Sequence, residues 1–192
     1  MNRPATTRQR SINAVKSAKS VVQFCKTFKP SWEIGKIIYK TVIAPAMQYG
    51  TKVSTITKRS RLQLAKYEKL ILKDIWNNCR DKKRRFNIKK ELNGKTINRR
   101  VRVARINYYG HVIRRPNMHP LKSAYKFKFC FKKEGRPSFT WKDSLRQDLR
   151  RYRGMTRQDW KELANDREKL KKKAEEIYKD SCSEISSGEE SV

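Results

Sequence analysis

The sequence predicts a mostly α-helical protein with about six helices in a loosely packed bundle, one extended arm rich in aromatic residues and lysine, and a disordered acidic tail. Apolar residues recur at helical spacing in segment after segment. Residues able to cap a helix precede most of these segments, and a single stretch alternates with the period of an extended chain. Since 36% of the residues are apolar and 35% are charged, the core is expected to be modest.

The first part of the chain predicts three helices. Residues 1–8 are polar and are expected to be disordered, whereas residues 9–79 show apolar positions at helical spacing. Ser31 and Thr57 are expected to cap the second and third helices. Pro45 lies inside the apolar pattern of the second helix and predicts a kink or a break there, because proline lacks the amide hydrogen that the helix needs.

Residues 80–116 predict a basic unit of the helix-turn-helix type. A short helix over Ile88–Leu92, a turn at Asn93–Gly94 and a longer arginine-rich helix from Ile97 account for the pattern. Such a helix can enter a groove of DNA, and the same arginines can also bind phosphates without reading the sequence. Within that helix, His111 stands among apolar residues, which favours a buried or half-buried structural histidine.

The extended arm is predicted for residues 117–139. From Tyr125 to Lys132, aromatic rings alternate with lysines and one cysteine, so an extended chain would separate rings and lysines onto two faces. The rings then either pack as core or stack on bases, while the lysines face phosphate. The arginine of the following Gly135-Arg136-Pro137 is either a groove contact or part of a rigid turn.

The last part of the chain predicts a helical pair over residues 140–180. Thr140 with Asp143, and Thr156 with Asp159, have the spacing of a capping box in which aspartate replaces the usual glutamate. Residues 181–192 contain glutamates and no cation, and are expected to be a disordered acidic tail.

The charge of the chain predicts an anionic partner. With 49 Lys and Arg against 18 Asp and Glu, the formal net charge is +31. Such a chain repels itself unless an anion relieves the repulsion. Nucleic acid is the leading partner class, followed by an anionic membrane and by an acidic protein. No apolar run reaches the roughly 20 residues of a membrane span. The polar N-terminus and widely spaced cysteines predict a nuclear or cytoplasmic protein that is not secreted.

The residue inventory argues against an autonomous active site. The chain has two histidines and seven glycines, and the glycines do not cluster into a phosphate loop. No close acidic pair predicts a two-metal site, and no paired spacing of cysteine and histidine predicts zinc. We therefore expect no catalysis, no cofactor, no metal and no small-molecule substrate.

Cations in three segments are the candidate nucleic-acid contacts. The run at residues 80–85 is a phosphate-binding segment, a nuclear import signal or a solvated loop. The basic unit and the arm supply the others. The full predicted set is Lys82, Lys83, Arg84, Arg85, Lys89, Lys90, Lys95, Arg99, Arg100, Arg102, Arg105, Arg114, Arg115, Lys126, Lys128 and Arg136.

Four phrases stand in a fixed order: "IYKTVIAPAMQYG", "YYGHVIRRP", "GRPSFTWKDSLRQDL" and "DWKELANDREKL". Together they resemble the C-terminal region, thumb and downstream segment, of the reverse transcriptase of non-LTR (LINE-type) retrotransposons. The resemblance covers roughly residues 9–172. The motif positions are Tyr39, Lys40, Pro45, Tyr49, Gly50, Gly110, His111, Val112, Arg114, Gly135, Arg136, Pro137, Trp141, Trp160, Leu163, Ala164, Asp166 and Arg167.

The resemblance has departures as well. Lys52 and Ser54 stand near positions where the family shows an acidic residue and a tryptophan. Tyr108 replaces a frequent tryptophan, and Leu170 replaces a late one.

The resemblance implies a thumb over residues 9–79 and its C-terminal extension, without a palm. The tyrosine-x-aspartate-aspartate phrase that binds the polymerase metals is absent from this sequence, as is the endonuclease. Such a chain would hold RNA, DNA or an RNA-DNA hybrid without making phosphodiester bonds. One alternative is a sequence-specific DNA-binding protein built on residues 88–115. Another is a fragment that is active only beside a separate palm.

Overall fold

The computed structural model describes residues 3–81, 87–127, 139–152 and 154–183, and this described part is mostly helical and contains no β-strand. The mostly α-helical class is therefore confirmed. The chain divides into two compact units. Unit 1 comprises Met1–Thr51 and Ile56–Val101, and unit 2 comprises Lys52–Thr55 and Arg102–Val192. The division falls inside one helix, so the predicted 80–116 segment contributes to both units.

Unit 1 is built from helices that begin and end close to the predicted positions. They are α1 (Arg3–Phe28), α2 (Trp32–Ile38), a π-helical stretch (Tyr39–Ile43), α3 (Ala44–Gln48), α4 (Lys58–Asn77), α5 (Ile88–Glu91) and the first residues of α6 (Ile97–Ile113). Residues 3–8, which were predicted to be disordered, fall within α1. Pro4 stands in the first turn of α1, where its missing amide hydrogen is not needed.

The predicted caps of unit 1 are confirmed. The Ser31 side chain accepts a hydrogen bond from the Ile34 amide, and Thr57 Oγ1 accepts one from the Ser60 amide at 3.2 Å. Immediately before Pro45, the helical hydrogen bonds change from the α to the π pattern, and the Ala44 amide donates to the Tyr39 carbonyl. The expected irregularity at Pro45 therefore takes the form of a π-helical turn, a common way for a helix to absorb a local disruption.

A buried carboxylate joins three elements of unit 1. Glu68 Oε1 on α4 accepts hydrogen bonds from the Tyr39 hydroxyl at 2.5 Å and from the Ile97 amide at 2.8 Å. Burial raises the pKa of Glu68, although both hydrogen bonds oppose that rise. Burial is also the main cause of the raised pKa of Tyr39. The motif residue Tyr39 is thus part of the core, where it fixes the π-helical stretch against α4 and the start of α6.

Unit 2 contains the rest of α6 together with α7 (Pro120–Lys126), α8 (Trp141–Leu149), α9 (Arg157–Asn165) and α10 (Arg167–Ser183). Both predicted capping boxes are confirmed. The Thr140 amide donates to Asp143 Oδ2 at 2.9 Å, and the Asp143 amide donates to Thr140 Oγ1 at 3.3 Å. The second box, Thr156 with Asp159, has the same reciprocal geometry.

Three predictions for unit 2 need correction. The arm predicted as extended over residues 117–139 contains helix α7, because His119 accepts from the Leu121 amide and Pro120 suits the first helical position. Residues 128–138 of that arm lie outside the described part. The C-terminal helix predicted from Thr156 is interrupted at Asp166. Helix α10 includes residues 181–183, which were assigned to the disordered tail, and residues 184–192 are not described.

Within the described ranges, no helix is long and apolar enough to cross a membrane.

Candidate nucleic-acid interface

Two of the predicted contact arginines, Arg99 and Arg105, are buried, and a third, Arg102, is intermediate in exposure. In unit 2, Arg105 Nη1 lies 3.2 Å from Asp148 Oδ2, and both side chains are 0% exposed. Arg102 Nε lies 3.6 Å from the other oxygen of Asp148, with the Arg102 side chain 13% exposed. In unit 1, Arg99 is also buried. The placement of Arg99 and Arg105 on a nucleic-acid-facing surface was wrong, because both are buried. The carboxylate that neutralises Arg105 lies on α8, far along the sequence.

The other predicted cations divide into an exposed and an undescribed group. Arg100 is intermediate in exposure, and its Nε donates to the Lys95 carbonyl at 3.2 Å. The predicted contact cations that are exposed are Lys89, Lys90 and Lys95 of unit 1 and Arg114, Arg115 and Lys126 of unit 2. Predicted residues outside the described ranges are Lys82, Lys83, Arg84, Arg85, Lys128, Gly135, Arg136 and Pro137.

Unit 2 has a polar cavity of about 490 Å³ between the C-terminal part of α6 and the start of α10. We call it the cationic cavity, and its lining residues are Asn107, His111, Arg114, Arg167, Glu168, Leu170 and Lys171. Three permanent cations and one histidine therefore face one carboxylate. His111, Arg114 and Arg167 come from two of the four sequence phrases, and the fold brings them together. Sequence analysis missed Lys171, although its spacing from Arg167 places both on one face of a helix.

The electrostatics of the cationic cavity favour an anion. His111 is half-buried, as predicted, and its Nε2 lies 3.2 Å from Arg115 Nη2. Partial burial lowers the pKa of His111, and the charges of Arg115, Arg114, His119 and Lys52 lower it further. A neutral imidazole is the form that fits beside so many cations. A phosphate in the cavity would reduce this repulsion and would gain charge-assisted hydrogen bonds.

Arg114 also has a structural contact. Its Nη1 donates to the Ala164 carbonyl at 2.6 Å, near the end of α9. Cations favour the C-terminal end of a helix, where the last carbonyl groups have no partner in the helix. Arg114 therefore holds α9 beside α6 and directs its guanidinium along the wall of the cationic cavity.

Gly110 allows the helices that form the cationic cavity to approach closely. A Cβ atom at this position would lie 2.2 Å from Leu170 Cδ2 and 2.8 Å from Arg114 Nη1. Carbon atoms in contact normally stay about 3.5–4.0 Å apart. The glycine of the "YYGH" phrase thus leaves room for the end of the buried Leu170 side chain and for the Arg114 guanidinium.

The Gly110→Ala variant is expected to lower the free energy of unfolding by about 1–3 kcal/mol, the usual cost of overpacking. In an ordinary helix interior, the same change would instead stabilise by roughly 0.5–1 kcal/mol. Chemical denaturation followed by circular dichroism measures the sign. In a Leu170→Ala background, which removes the nearer of the two clashing atoms, Gly110→Ala should cost less than in the wild type. A stabilised single variant would show that the Leu170 and Arg114 side chains move aside to make room.

The tryptophans of the third and fourth phrases also have packing roles. Trp141 Nε1 donates to the Lys52 carbonyl at 2.9 Å, and its ring meets those of Tyr108 and Tyr125 edge-on, with centroids 5.9 Å and 6.2 Å away. Trp160 packs edge-on against Tyr152 at 4.8 Å. These contacts join α8 and α9 to the rest of unit 2. Packing therefore accounts for the presence of both tryptophans.

Asp166 marks the start of α10. Its Oδ1 accepts hydrogen bonds from the amides of Glu168 and Lys169, each at 3.0 Å, and the bond from the Lys169 amide is the main reason that its pKa is lowered. As a cap, Asp166 fixes the first turn of α10. That turn places Arg167 and Lys171 at the cationic cavity.

The first phrase leaves several side chains on the surface of unit 1. Lys40 and Pro45 are exposed, and Tyr49 is 79% exposed. Gly50 has a positive φ of 66° at the end of α3, a conformation that glycine adopts without strain. An exposed tyrosine ring is suited to stack on a base.

A basic face on α4 was missed in the sequence analysis. Its exposed residues recur every three or four positions and are Arg59, Leu62, Lys66, Lys69 and Lys73. The opposite face of α4 carries buried Leu64, Leu72 and Ile75 of the unit 1 core. The spacing of these cations by three or four residues is the sequence signal for this face.

Among the residues that the structure describes, no group of three or more histidines, cysteines or carboxylates is arranged to hold a metal ion. No protein-family model, no curated protein and no solved structure matches this chain.

Proposed function

We propose that this chain is a non-catalytic nucleic-acid-binding protein derived from the thumb and downstream region of a LINE-type reverse transcriptase. The observation that carries the proposal is the cationic cavity, where His111, Arg114, Arg167 and Lys171 face a single carboxylate in a chain of net charge +31. The proposal also draws on the order of the four phrases, two of which supply cavity residues.

The cavity chemistry fits the backbone of a nucleic acid. Arginine offers a planar fork of donors that matches phosphate oxygens, and lysine adds a mobile point charge. Phosphate contacts of this kind position a strand without reading its bases. The chain is therefore expected to bind many sequences with similar affinity. RNA, DNA and an RNA-DNA hybrid all present the phosphates that the cavity would bind.

The alternative of a sequence-specific reader receives less support. Arg99 and Arg105, which that hypothesis would place in a DNA groove, are both buried. Direct readout requires side chains that reach base edges from an exposed helix face. Arg114 and Arg115 are exposed, but they follow the last residue of α6. They therefore lie at the end of the helix opposite to the turn.

Catalysis is not part of the proposed function of this chain by itself. The proposal assigns it no phosphodiester chemistry, because its sequence lacks the tyrosine-x-aspartate-aspartate phrase of a polymerase palm. A separate palm fragment remains a possible protein partner. Primer extension by a mixture of the two, and not by either alone, would identify that partnership.

Binding of the purified chain to labelled strands of equal length tests the proposed function. Single-stranded RNA, single-stranded DNA, both duplexes and the hybrid should each bind, and excess random DNA should displace any of them. Survival of one labelled sequence against excess random competitor would instead support the sequence-specific alternative. Absence of binding to all five ligands at low salt would refute the proposal.

Binding is expected to strengthen as the pH falls from about 7.5 to about 5.5. The free His111 has a lowered pKa, and a nearby phosphate would raise it, so binding takes up protons. One coupled proton gives at most about tenfold in affinity per pH unit. Fluorescence anisotropy titrations across this range would measure the slope.

The matched pair for the pH experiment is His111→Gln and His119→Gln. The His111 variant should flatten the pH dependence, whereas the His119 variant should keep most of it, because His119 does not line the cationic cavity. Equal slopes in the wild type and the His111 variant would show that the phosphate does not bind beside this imidazole.

A further inference from the structure

Unit 2 contains a second cavity, of about 300 Å³, with a different chemistry from that of the cationic cavity. We call it the aromatic pocket. Its walls are aromatic and apolar: Tyr109, Tyr125, Leu145, Leu149, Met155 and Trp160. Its volume is at the small end of the range of roughly 300–1,000 Å³ that ligand pockets occupy. A single flat ring system fits such a space better than an extended peptide.

Cations surround the aromatic pocket without an acidic residue in its lining. They are Lys142, Arg146, Arg150 and Arg157. Lys142 Nζ lies 5.0 Å from the centroid of the Tyr125 ring, and Arg146 is paired with Asp143 at 2.8 Å. Arg150 and Arg157, in contrast, are exposed and make no ion pair within the described ranges. Both therefore have their charge available to a ligand at the pocket mouth.

The positive charge of Arg157 acts on the hydroxyl groups of Tyr109 and Tyr125 in the pocket wall. Burial raises the pKa of Tyr109 to about 12, and the guanidinium of Arg157 opposes this rise. The same guanidinium opposes the raised pKa of Tyr125. The two rings lie with centroids 6.0 Å apart and planes tilted by 60°. The pocket thus combines ring surfaces, two hydroxyls and a cation within a short distance.

We propose that the aromatic pocket binds one unstacked base of a single-stranded nucleic acid, with the flanking phosphates on Arg150 and Arg157. A base provides a flat ring that packs against aromatic and apolar walls, and its phosphates supply the negative charge that the lining lacks. Bases held on aromatic side chains beside a cationic groove are a general mode of single-strand binding. This inference rests on the proposed function and adds a preference for unpaired strands.

The first experiment compares an oligothymidine strand with an abasic strand of equal length and charge. A pocket that holds a base should give the thymidine strand an affinity about tenfold higher, within the range for stacking on aromatic residues. Equal affinities would overturn the pocket proposal and leave the backbone-binding function intact. Failure of both strands to bind would refute the proposed function itself. Displacement of the strand by micromolar thymidine monophosphate would overturn the assignment to a strand, in favour of a free nucleotide.

A pair of methionine variants locates the effect. Met155→Trp should fill the aromatic pocket, whereas Met118→Trp adds the same ring at a site that is 91% exposed and outside the pocket. The Met155 variant should lose the advantage of thymidine over abasic strand and keep its affinity for the abasic strand. The Met118 variant should keep both. Retention of the thymidine advantage by a folded Met155 variant would contradict the proposal.

Crosslinking of the unmodified protein gives a second measurement that does not depend on a variant folding correctly. A strand that carries 5-iodouracil should crosslink to Tyr109, Tyr125 or Trp160, the aromatic residues of the pocket. Peptide mapping by mass spectrometry identifies the attached residue. Crosslinks found only on aromatic residues elsewhere, such as the exposed Tyr49 of unit 1, would overturn the assignment.

Discussion

The Asp148→Ala variant is expected to lose about 3–5 kcal/mol of unfolding free energy, the cost of leaving a buried charge without its partner. Arg105 and Asp148 are both 0% exposed, and their charged atoms lie 3.2 Å apart. Removing the carboxylate takes away the counter-charge that lies 3.2 Å from the buried guanidinium of Arg105. Because arginine stays protonated in proteins, the chain cannot avoid the cost by releasing a proton. Urea denaturation followed by circular dichroism would measure the loss.

Two controls isolate the buried charge. Glu175→Ala removes an exposed carboxylate from α10 of the same unit and should change stability by no more than about 0.5 kcal/mol. The double variant Arg105→Met with Asp148→Leu replaces the pair by apolar groups and should recover most of the loss. Arg102 is partly exposed and can turn its charge to water. An Asp148 variant no less stable than the Glu175 control would show that Arg105 reaches solvent.

Raising the salt concentration from 50 to 200 mM is expected to weaken nucleic-acid binding roughly a thousand-fold if about six phosphates are neutralised. Each phosphate contact displaces counterions from the strand, and added salt opposes their release. Exposed cations are present in each unit, on α4 of unit 1 and around the cationic cavity of unit 2. Anisotropy titrations at several salt concentrations give the slope of the logarithm of affinity.

The sign and size of the salt effect distinguish two kinds of surface. A steep slope means that the cations contact phosphates directly. A flat response would mean that the basic faces are only solvated, and that any binding comes from apolar contacts such as the aromatic pocket. Buried Arg105 is not expected to contribute to the slope. The number of phosphate contacts calculated from the slope should therefore reflect exposed residues alone.

Local signals in the sequence predicted the helix starts well. Ser31, Thr57, Thr140 and Thr156 each cap a helix in the structure through a side-chain oxygen that accepts a backbone hydrogen bond. A cap depends on residues within a single turn, so it can be recognised from the chain alone. The same reasoning would have found α7 if His119 and Pro120 had been weighed as a cap and a first helical residue.

Contacts between distant segments could not be predicted in this way. An arginine on a helix looks the same in sequence whether it faces water or a buried carboxylate, and Arg105 faces Asp148. The pairing depends on how α8 packs against α6. The charge pattern of α6 therefore overestimated its exposed basic surface.

The candidate site was predicted in part. Of the residues around the cationic cavity, only Arg114 was predicted as a nucleic-acid contact. His111 was interpreted as a structural histidine, Arg167 was named as a motif position, and Lys171 was missed. The same phrases contain Gly110, Trp141, Trp160 and Asp166, whose contacts explain them as packing and capping residues. The phrases therefore contain two kinds of residue. Most stabilise the packing of unit 2, and a smaller number are exposed on its surface, where they could contact a ligand. Sequence resemblance alone cannot separate the two groups.

The most direct test of the proposed function compares the salt slopes of two double variants. Arg167→Gln with Lys171→Gln removes two charges from the cationic cavity, and Arg151→Gln with Lys172→Gln removes two exposed charges outside its lining. The cavity variant should lower the slope by about 1.8, at about 0.9 per phosphate contact, and the control should leave it nearly unchanged. Equal slopes for the two variants would contradict the assignment of the cavity as a phosphate-binding site.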